Sequence, residues 1–292
     1  MIDRILVPID FSDVSNKALN YAISMAIAFK ADLLLANVIE DSPAVVPDSH
    51  GSTFEKKLSF DETQKRLEAI IPEDIRRTLQ SSCLVKRGPV EDGLLAVAKD
   101  QQVTLIVMGT HGRRAFARWL LGSVTERILR KVSVPTITVS HPEGDIEPWR
   151  ISNGRLLYAT DLSYGSEHGM TLAYELAKRF DAELTVLHVM LPWSGILSTQ
   201  NESDHEQLRE RMLKRLEESI PEDARLDARV HLELREGGPY QAILDVAEEK
   251  VVDLIVVNLH GQDRTEREAL GSTAERVIRG SARPVLSIPW VS

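Results

Sequence analysis

Residues 105–123 read LIVMGTHGRRAFARWLLGS, and residues 254–272 read LIVVNLHGQDRTEREALGS. Each stretch has a short apolar run, a turn, a spacer of nine residues and a Gly-Ser pair that opens an amphipathic segment. This layout predicts a strand that delivers backbone N–H groups to a phosphate and a helix N-terminus that completes the cradle. The chain is therefore predicted to contain two copies of one nucleotide-binding unit, and the copies differ within the motif itself.

The repeat extends well beyond these two stretches. Residues 4–12, RILVPIDFS, match residues 155–163, RLLYATDLS, and residues 31–40, ADLLLANVIE, match residues 182–190, AELTVLHVM. The landmarks keep the same order at an offset of about 150 residues, whereas a solenoid would repeat every 20–50 residues or so. A duplicated domain explains this pattern best.

Length and composition agree with two domains. The 292 residues are 43% hydrophobic and 27% charged, and each half is long enough to bury a core of its own. Pro, Gly and charged residues cluster in HPEGDIEPWRISNG, residues 141–154. We therefore predict domains at residues 1–144 and 151–292.

Charge and cysteine usage bear on partners and compartment. The net charge of −9 argues against a general affinity for nucleic acid, which needs a basic face. A single cysteine, Cys83, is expected to pack in a strand, and without a possible intrachain disulfide we expect a cytoplasmic location. Asp3, Arg4 and Asp10 interrupt the first apolar residues, so we expect no secretory signal, and no apolar run is long enough to span a membrane.

Apolar runs alternate with helical patterns through each half, which predicts an α/β fold with a parallel sheet. In the first half, strands are predicted at Ile5–Ile9, Leu33–Ile39, Ser82–Lys86, Leu105–Met108 and Thr136–Val139. Helices are predicted after Ser12 or Ser15, at Asp61–Ile71, from Pro89 through Lys99 and at Ser123–Val132. The stretch Asp41–Phe60 is predicted to be a functional loop.

Three features are predicted to converge at the carboxyl ends of the strands. Asp10 follows the first strand, Val38 lies near the end of the second, and the turn at Gly109 follows the fourth. Ligands of such sheets bind at this edge, where the strand order reverses.

The Gly-Ser pair allows two interpretations. Ser123 and Glu126, like Ser272 and Glu275, are spaced as a capping box, which would need no ligand. A cap does not explain Gly109, Gly112 and Gly122, whose missing side chains permit positive φ and a close approach of the backbone to a phosphate. We favour the phosphate interpretation in the first half.

These residues resemble the universal stress protein family over essentially the whole chain, twice. Its ATP-binding members carry Gly-x2-Gly-x9-Gly-Ser/Thr after the fourth strand, an Asp after the first and a Val after the second, as the first half does. The resemblance implies two tandem doubly wound α/β domains, each a five-stranded parallel sheet of order 3-2-1-4-5 with helices on both faces. It also implies that the two domains pair through their last strands, with a homodimer and an unidentified protein partner as further options.

The resemblance further implies a site for ATP or AMP, with Mg²⁺ only where the phosphates carry it. Asp10 and Val38 would hold the adenine and ribose, Met108 would line the pocket, and the glycines would hold the phosphates. The implied first-domain residues are Pro8, Ile9, Asp10, Val38, Met108, Gly109, His111, Gly112, Arg113, Gly122, Ser123 and Val124. Their second-domain counterparts are Asp161, Val189, Gly261, Gly271, Ser272 and Thr273.

The second half departs from the pattern at Asn258, which stands where the first Gly is expected. Its side chain is predicted to crowd the phosphate path. The spacer also changes from three arginines and no acid, in RRAFARWLL, to two arginines and three acids, in QDRTEREAL. We therefore expect ATP to bind the first domain more tightly than the second.

Other candidate residues have simpler explanations. His111 and His260 occupy equivalent turns and lack a cluster of metal-ligand spacing, so we interpret them as backbone-bonded turn residues. Asp10 is interpreted as orienting a ligand rather than binding a metal or acting as a catalytic acid. Trp119 is interpreted as a packing or interface residue.

Three functions compete on this basis. The leading hypothesis is a non-catalytic regulatory protein that binds adenine nucleotide. A slow ATPase is the second, since no base is evidently placed to activate water. The third is a partner-binding scaffold whose nucleotide sites are vestigial.

Overall fold

The computed structural model describes residues 2–40, 59–111, 121–140, 153–163, 165–192, 202–259 and 270–290. The strands are β1 Arg4–Pro8, β2 Asp32–Ile39, β3 Ser81–Arg87, β4 Leu105–Gly109, β5 Thr136–Val139, β6 Arg155–Thr160, β7 Glu183–Met190, β8 Val230–Glu236, β9 Leu254–Asn258 and β10 Val285–Ile288. The helices are α1 Asp13–Phe29, α2 Phe60–Ile70, α3 Glu73–Thr78, α4 Val90–Asp100, α5 Ser123–Lys131, α6 Ser166–Phe180, α7 Glu202–Glu218, α8 Glu222–Arg225, α9 Pro239–Glu249 and α10 Ser272–Gly280.

The strands form one sheet of order β3-β2-β1-β4-β5-β10-β9-β6-β7-β8. Counted within its own half, each set of five has the order 3-2-1-4-5, so the predicted fold class is confirmed. The halves do not stay separate, because β5 and β10 pair antiparallel and join them into a ten-stranded sheet. Neighbouring strands within each half run parallel.

The central strand pair lies on a pseudo-two-fold axis. Ile137 of β5 pairs directly with Leu286 of β10, and these two residues are counterparts in the two copies of the repeat. Such a self-complementary contact is the one that two identical subunits would make, here built within a single chain.

Helices cover both faces of the sheet because the strand side chains alternate. In β1, Ile5 and Val7 pack with α1 and α2, whereas Leu6 packs with α4 and α5. Strands buried on both sides read as continuous apolar runs, as the sequence of β1 does.

The start of α1 resolves one alternative. Ser12 is the N-cap, and its hydroxyl accepts a hydrogen bond from the Ser15 N–H at 3.2 Å. Phe11, just before the cap, has φ of 65°, and Leu162 at the corresponding position has φ of 56°. The duplication therefore extends to an uncommon left-handed backbone at the same turn.

Some predictions were incomplete, and others concern residues outside the described ranges. The short helices α3 and α8 were not predicted, and most of the predicted loop Asp41–Phe60 lies outside the described residues, as does most of the segment 141–154. Cys83 is half-buried in β3, and burial raises the pKa of its thiol to about 11, which suits a packing residue. Among the helices of the described ranges, none is long and apolar enough to cross a membrane.

Candidate functional site

The carboxyl ends of β1, β2 and β4 lie side by side. Pro8 of β1 pairs with Ala36 of β2, and Leu6 of β1 pairs with Ile106 of β4. The chain runs from β1 to β2 and β3 on one side and then crosses to β4 on the other, so the strand order reverses between β1 and β4. The predicted convergence of the ends of these strands is therefore present.

Asp10 holds the turn that follows β1. Its Oδ1 accepts a hydrogen bond from the Ser12 N–H at 3.0 Å, and the guanidinium of Arg66 lies 4.2 Å from the centre of the Phe11 ring. In the second domain Asp161 accepts from the Ser163 N–H, also at 3.0 Å. Both aspartates are thus fixed by a local turn at the strand end.

Pro8 is half-buried at the end of β1, and Ile9 follows it directly. The Ile9 side chain is 2% exposed and packs in the core. Ile9 can therefore offer a ligand only backbone atoms. Its carbonyl accepts a hydrogen bond from the Asn37 Nδ2 at 2.6 Å. Asn37 was not predicted from the sequence, although a polar residue beside Val38 could have indicated it. Its counterpart in the second domain, His188, makes the equivalent contact, with its Nδ1 2.9 Å from the Thr160 carbonyl oxygen.

Val38 and Met108 differ in how much surface they present. Val38 is half-buried, and helix α4 approaches it so closely that a Cβ on Gly93 would lie 3.0 Å from its Cγ2. Met108 is 3% exposed and belongs to the apolar cluster beneath α4 and α5. Val189 is half-buried at the corresponding end of β7.

Gly109 lacks a side chain for a reason that differs from the expected one. It ends β4 and is not among the described glycines with positive φ, which are Gly88, Gly165 and Gly237. A Cβ on Gly109 would lie 2.7 Å from the Cγ1 of Val14, so close packing of α1 excludes larger residues. Gly109 therefore does not use the positive φ that a glycine permits, and the packing of α1 accounts for its missing side chain.

Gly122 begins α5. Its N–H donates to the Thr110 carbonyl at 2.7 Å, and its own carbonyl accepts from the Glu126 N–H at 2.9 Å. A Cβ here would lie 3.2 Å from the Thr110 carbonyl oxygen and 3.3 Å from the His111 Cα. Gly122 therefore fits tightly against the residues that follow β4. This contact holds the first turn of α5 next to the carboxyl end of that strand.

The capping box expected at Ser123 does not form. The N-cap is Gly122, which has no side chain to offer, and Ser123 is already the first helical residue. Glu126 is paired instead with Arg130 at 2.9 Å. Helices α1 and α2 begin with serine caps, whereas α5, like α4, α6, α9 and α10, has no side-chain cap, so the first-turn N–H groups of α5, those of Ser123 and Val124 among them, receive no side-chain oxygen from the N-cap.

Other predicted residues are placed only in part. His111 Nδ1 lies 3.0 Å from the Thr110 hydroxyl, which is a side-chain contact. Gly112, Arg113, Trp119, His260 and Gly261 lie outside the described residues.

The second domain repeats the helix start. The Gly271 N–H donates to the Leu259 carbonyl at 2.7 Å, its carbonyl accepts from the Glu275 N–H at 2.9 Å, and Ser272 and Thr273 begin α10. The backbone at Gly271 is therefore arranged as at Gly122.

Asn258 does not point where the sequence suggested. Its Nδ2 donates to the Tyr158 hydroxyl at 2.9 Å, and that hydroxyl donates to the Ser166 carbonyl at 2.6 Å. A Cβ on Gly169 would lie 2.4 Å from the Asn258 Oδ1, so the asparagine side chain lies beneath α6. The expectation that it crowds a phosphate path is wrong, and it acts as a packing residue.

This cluster replaces the first-domain packing at several positions together. At the positions equivalent to Tyr158, Gly169 and Asn258, the first domain has a smaller residue on β1, a larger one on α1 and a glycine on β4; these are Val7, Ala18 and Gly109. Burial raises the pKa of Tyr158 to about 12, so its hydroxyl stays protonated as a donor at neutral pH. The second domain thus has larger side chains on its strands and a smaller one on its helix than the first domain has at the same positions.

The family model described as the Universal stress protein family matches residues 1–140 and 152–289. The chain belongs to the universal stress protein family. It is 28% identical to a universal stress protein of Mycolicibacterium smegmatis, with 97% of this chain and 96% of that one covered. Another, from Methanocaldococcus jannaschii, is 34% identical over 48% of this chain and 83% of its own.

Solved structures support the architecture. A universal stress protein from Archaeoglobus fulgidus has a TM-score of 0.67 at 23% identity and covers 99% of this chain and 97% of its own. This likeness shows that the tandem arrangement is a fold found in another family member.

Across the described part of the chain, no three His, Cys, Asp or Glu residues are grouped so that they could hold a metal ion. The candidate site of the first domain brings together backbone donors at the start of α5, the locally bonded Asp10 and the apolar residues Val38 and Met108.

Proposed function

We propose that this universal stress protein binds an adenine nucleotide, ATP or AMP, in its first domain and acts as a regulatory protein of the stress response. The observation that carries the proposal is the start of α5. Gly122 provides no cap, and the Ser123 and Val124 N–H groups lie at the positive end of a helix beside the reversal of strand order. Such a terminus favours a phosphate.

The site residues divide the ligand between them. Gly122, Ser123 and Val124 hold the phosphates, while Asp10 and Val38 contact the ribose and adenine, as the family resemblance implies. Mg²⁺ would arrive with the phosphates, because the described residues include no metal cluster of their own. Bound nucleotide would add its phosphate charge, a feature that a partner can recognise.

Titration calorimetry of the whole chain with ATP, AMP and adenosine tests the proposal. We expect ATP to bind and the variant Gly122→Val to lose that binding. A Cβ at this position would already lie 3.2 Å from the Thr110 carbonyl oxygen, so a valine would displace the start of α5. Since this variant also strains α5, its circular dichroism and thermal unfolding are recorded as a control. A folded Gly122→Val protein that binds ATP like the parent would place the site elsewhere.

We propose that the protein turns ATP over slowly, if at all. Asp10 already accepts a hydrogen bond from the Ser12 N–H, and the Nδ1 of His111, the histidine beside the start of α5, lies 3.0 Å from the Thr110 hydroxyl, so both side chains that could act as a general base there make local contacts. We expect steady-state hydrolysis far below the ~10 s⁻¹ of a median enzyme. Hydrolysis at tens per second that is lost in Asp10→Ala would instead make the protein an enzyme.

A partner-binding scaffold is the second candidate function, and the altered second domain favours it. There Asn258 is built into the core beneath α6, which is what a domain retained for packing would show. In either case we expect the protein to act in the cytoplasm, since the chain has a single cysteine.

A further inference from the structure

Four charged side chains link α5 and α10 across the domain boundary: a glutamate in the first turn and an arginine in the last turn of each helix. Arg279 of the second domain lies 3.4 Å from a carboxylate oxygen of Glu126 in the first domain and 2.8 Å from one of Glu275 in its own helix. Arg130 lies 2.9 Å from the other oxygen of Glu126. Arg279 thus stands between two glutamates, one from each domain, at the start of the two helices that follow the Gly-Ser pairs.

Glu126 is placed where its charge matters to an anion. It is the fourth residue of α5, so its Cα lies about 4.5 Å along the helix axis from that of Ser123. Its side chain is 30% exposed, and a partly buried charge is screened less by salt than a fully exposed one. Arg130 pairs with one oxygen of this carboxylate and Arg279 with the other, so without Arg279 the carboxylate is balanced by Arg130 alone and opposes the binding of phosphate at the same helix end more strongly.

We propose that Arg279 is a positioning residue for the first-domain site, which it serves from the second domain. By balancing and holding the Glu126 carboxylate, Arg279 sets the affinity of the α5 terminus for ligands that carry phosphate. The inference rests on the proposed function of that site. It gives the pairing of the domains a role beyond stability, because any movement of α10 relative to α5 changes the charge felt by the phosphates.

Calorimetric titration of the Arg279→Gln chain with ATP, AMP and adenosine tests this role. We expect ATP affinity to fall about fivefold at low ionic strength, AMP affinity to fall less, and adenosine affinity to stay unchanged. Arg276→Gln is the matched control: it removes the same charge from the same helix, but Arg276 lies over the Tyr240 ring at 4.3 Å. That variant should bind all three ligands like the parent.

A second substitution separates charge from structure. Adding Glu126→Gln to the Arg279→Gln chain removes the carboxylate and should restore ATP affinity. Equal losses for all three ligands, no loss at all, or the same loss in Arg276→Gln would each overturn the role of Arg279. A parent chain that binds no adenine nucleotide would overturn the proposed function itself, and the two failures are therefore distinguishable.

Discussion

Asn258 shows that a residue inside a motif can serve the fold rather than the ligand. In the first domain the Gly109 position must be empty because Val14 lies against it, with only 2.7 Å between the Val14 Cγ1 and a Cβ at Gly109. In the second domain the position equivalent to Val14 is Gly165, and the asparagine side chain lies beneath α6, where it bonds to Tyr158. Asparagine in place of glycine at position 258 therefore reflects how α6 packs on β9, which differs from the packing of α1 on β4.

We expect Asn258→Gly to destabilise the chain without creating a second ATP site. The substitution removes a hydrogen bond to a buried hydroxyl and leaves a void beside Gly169, at a cost of about 1–3 kcal/mol. Urea unfolding gives the loss of stability, and calorimetry counts the ATP bound per chain.

The control restores the first-domain residues at all three positions of the cluster. The triple variant Asn258→Gly, Tyr158→Val and Gly169→Ala should be no more stable than Asn258→Gly, because Gly169→Ala adds one methyl group whereas Tyr158→Val removes a buried ring and its hydrogen bond to the Ser166 carbonyl. An Asn258→Gly chain as stable as the parent and able to bind a second ATP would show that the asparagine had been the obstacle.

At the scale of elements, the start of α5 is where sequence and structure part. Ser123 and Glu126 have the spacing of a capping box, yet the N-cap is one residue earlier, at Gly122, and Glu126 pairs with Arg130 and Arg279. A local pattern cannot reveal this, because the tight fit of Gly122 against Thr110 and the ion pair with Arg279 depend on distant parts of the chain.

Most strands and long helices could be predicted, because buried parallel strands read as continuous apolar runs between helical patterns. The short helix α3 was missed because it is polar and none of its residues is buried, so no periodicity marks it. Asn37 was missed because its role, a hydrogen bond to the Ile9 carbonyl, exists only once β1 and β2 are paired.

The two helix starts provide a matched pair for the predicted asymmetry. The backbone at Gly122 and Gly271 is the same, so a difference in ATP affinity must come from side chains, among them the spacer charges. We expect the parent chain to bind one ATP tightly. The site should be lost in Gly122→Val and kept in Gly271→Val, as calorimetric stoichiometry will show.

Two sites of equal ATP affinity in the parent would contradict this asymmetry. Loss of the tight ATP site in Gly271→Val, with Gly122→Val unaffected, would show that this site lies in the second domain rather than the first. Thermal unfolding of both variants controls for strain, since each carries the same substitution at the same kind of helix start.

At the scale of the whole molecule, the domains are joined on both faces of the sheet as well as through β5 and β10. The rings of Phe29 and Phe180, which end α1 and α6, meet edge to face with centroids 5.8 Å apart. Arg179 donates to the Ala28 carbonyl at 2.7 Å beside them. On the opposite face, Arg279 and Glu126 link α10 to α5.

We expect these contacts to couple the stabilities of the domains. A double-mutant cycle of Phe29→Leu and Phe180→Leu should give a coupling energy of about 0.5–1.5 kcal/mol, the range for aromatic pairs. Urea unfolding of the parent, both single variants and the double variant measures it. Strictly additive losses would show that the two rings do not stabilise the domain pairing together.

On the proposed function, the N-terminus of α5 in the first domain holds the phosphates of an adenine nucleotide. A crystal structure of the whole chain grown with ATP and Mg²⁺ would locate the nucleotide. We expect phosphate density within hydrogen-bond distance of the Ser123 and Val124 N–H groups, with the base toward Asp10 and Val38. Nucleotide bound at Ser272 in the second domain while the α5 terminus is empty, or bound away from both helix starts, would contradict it.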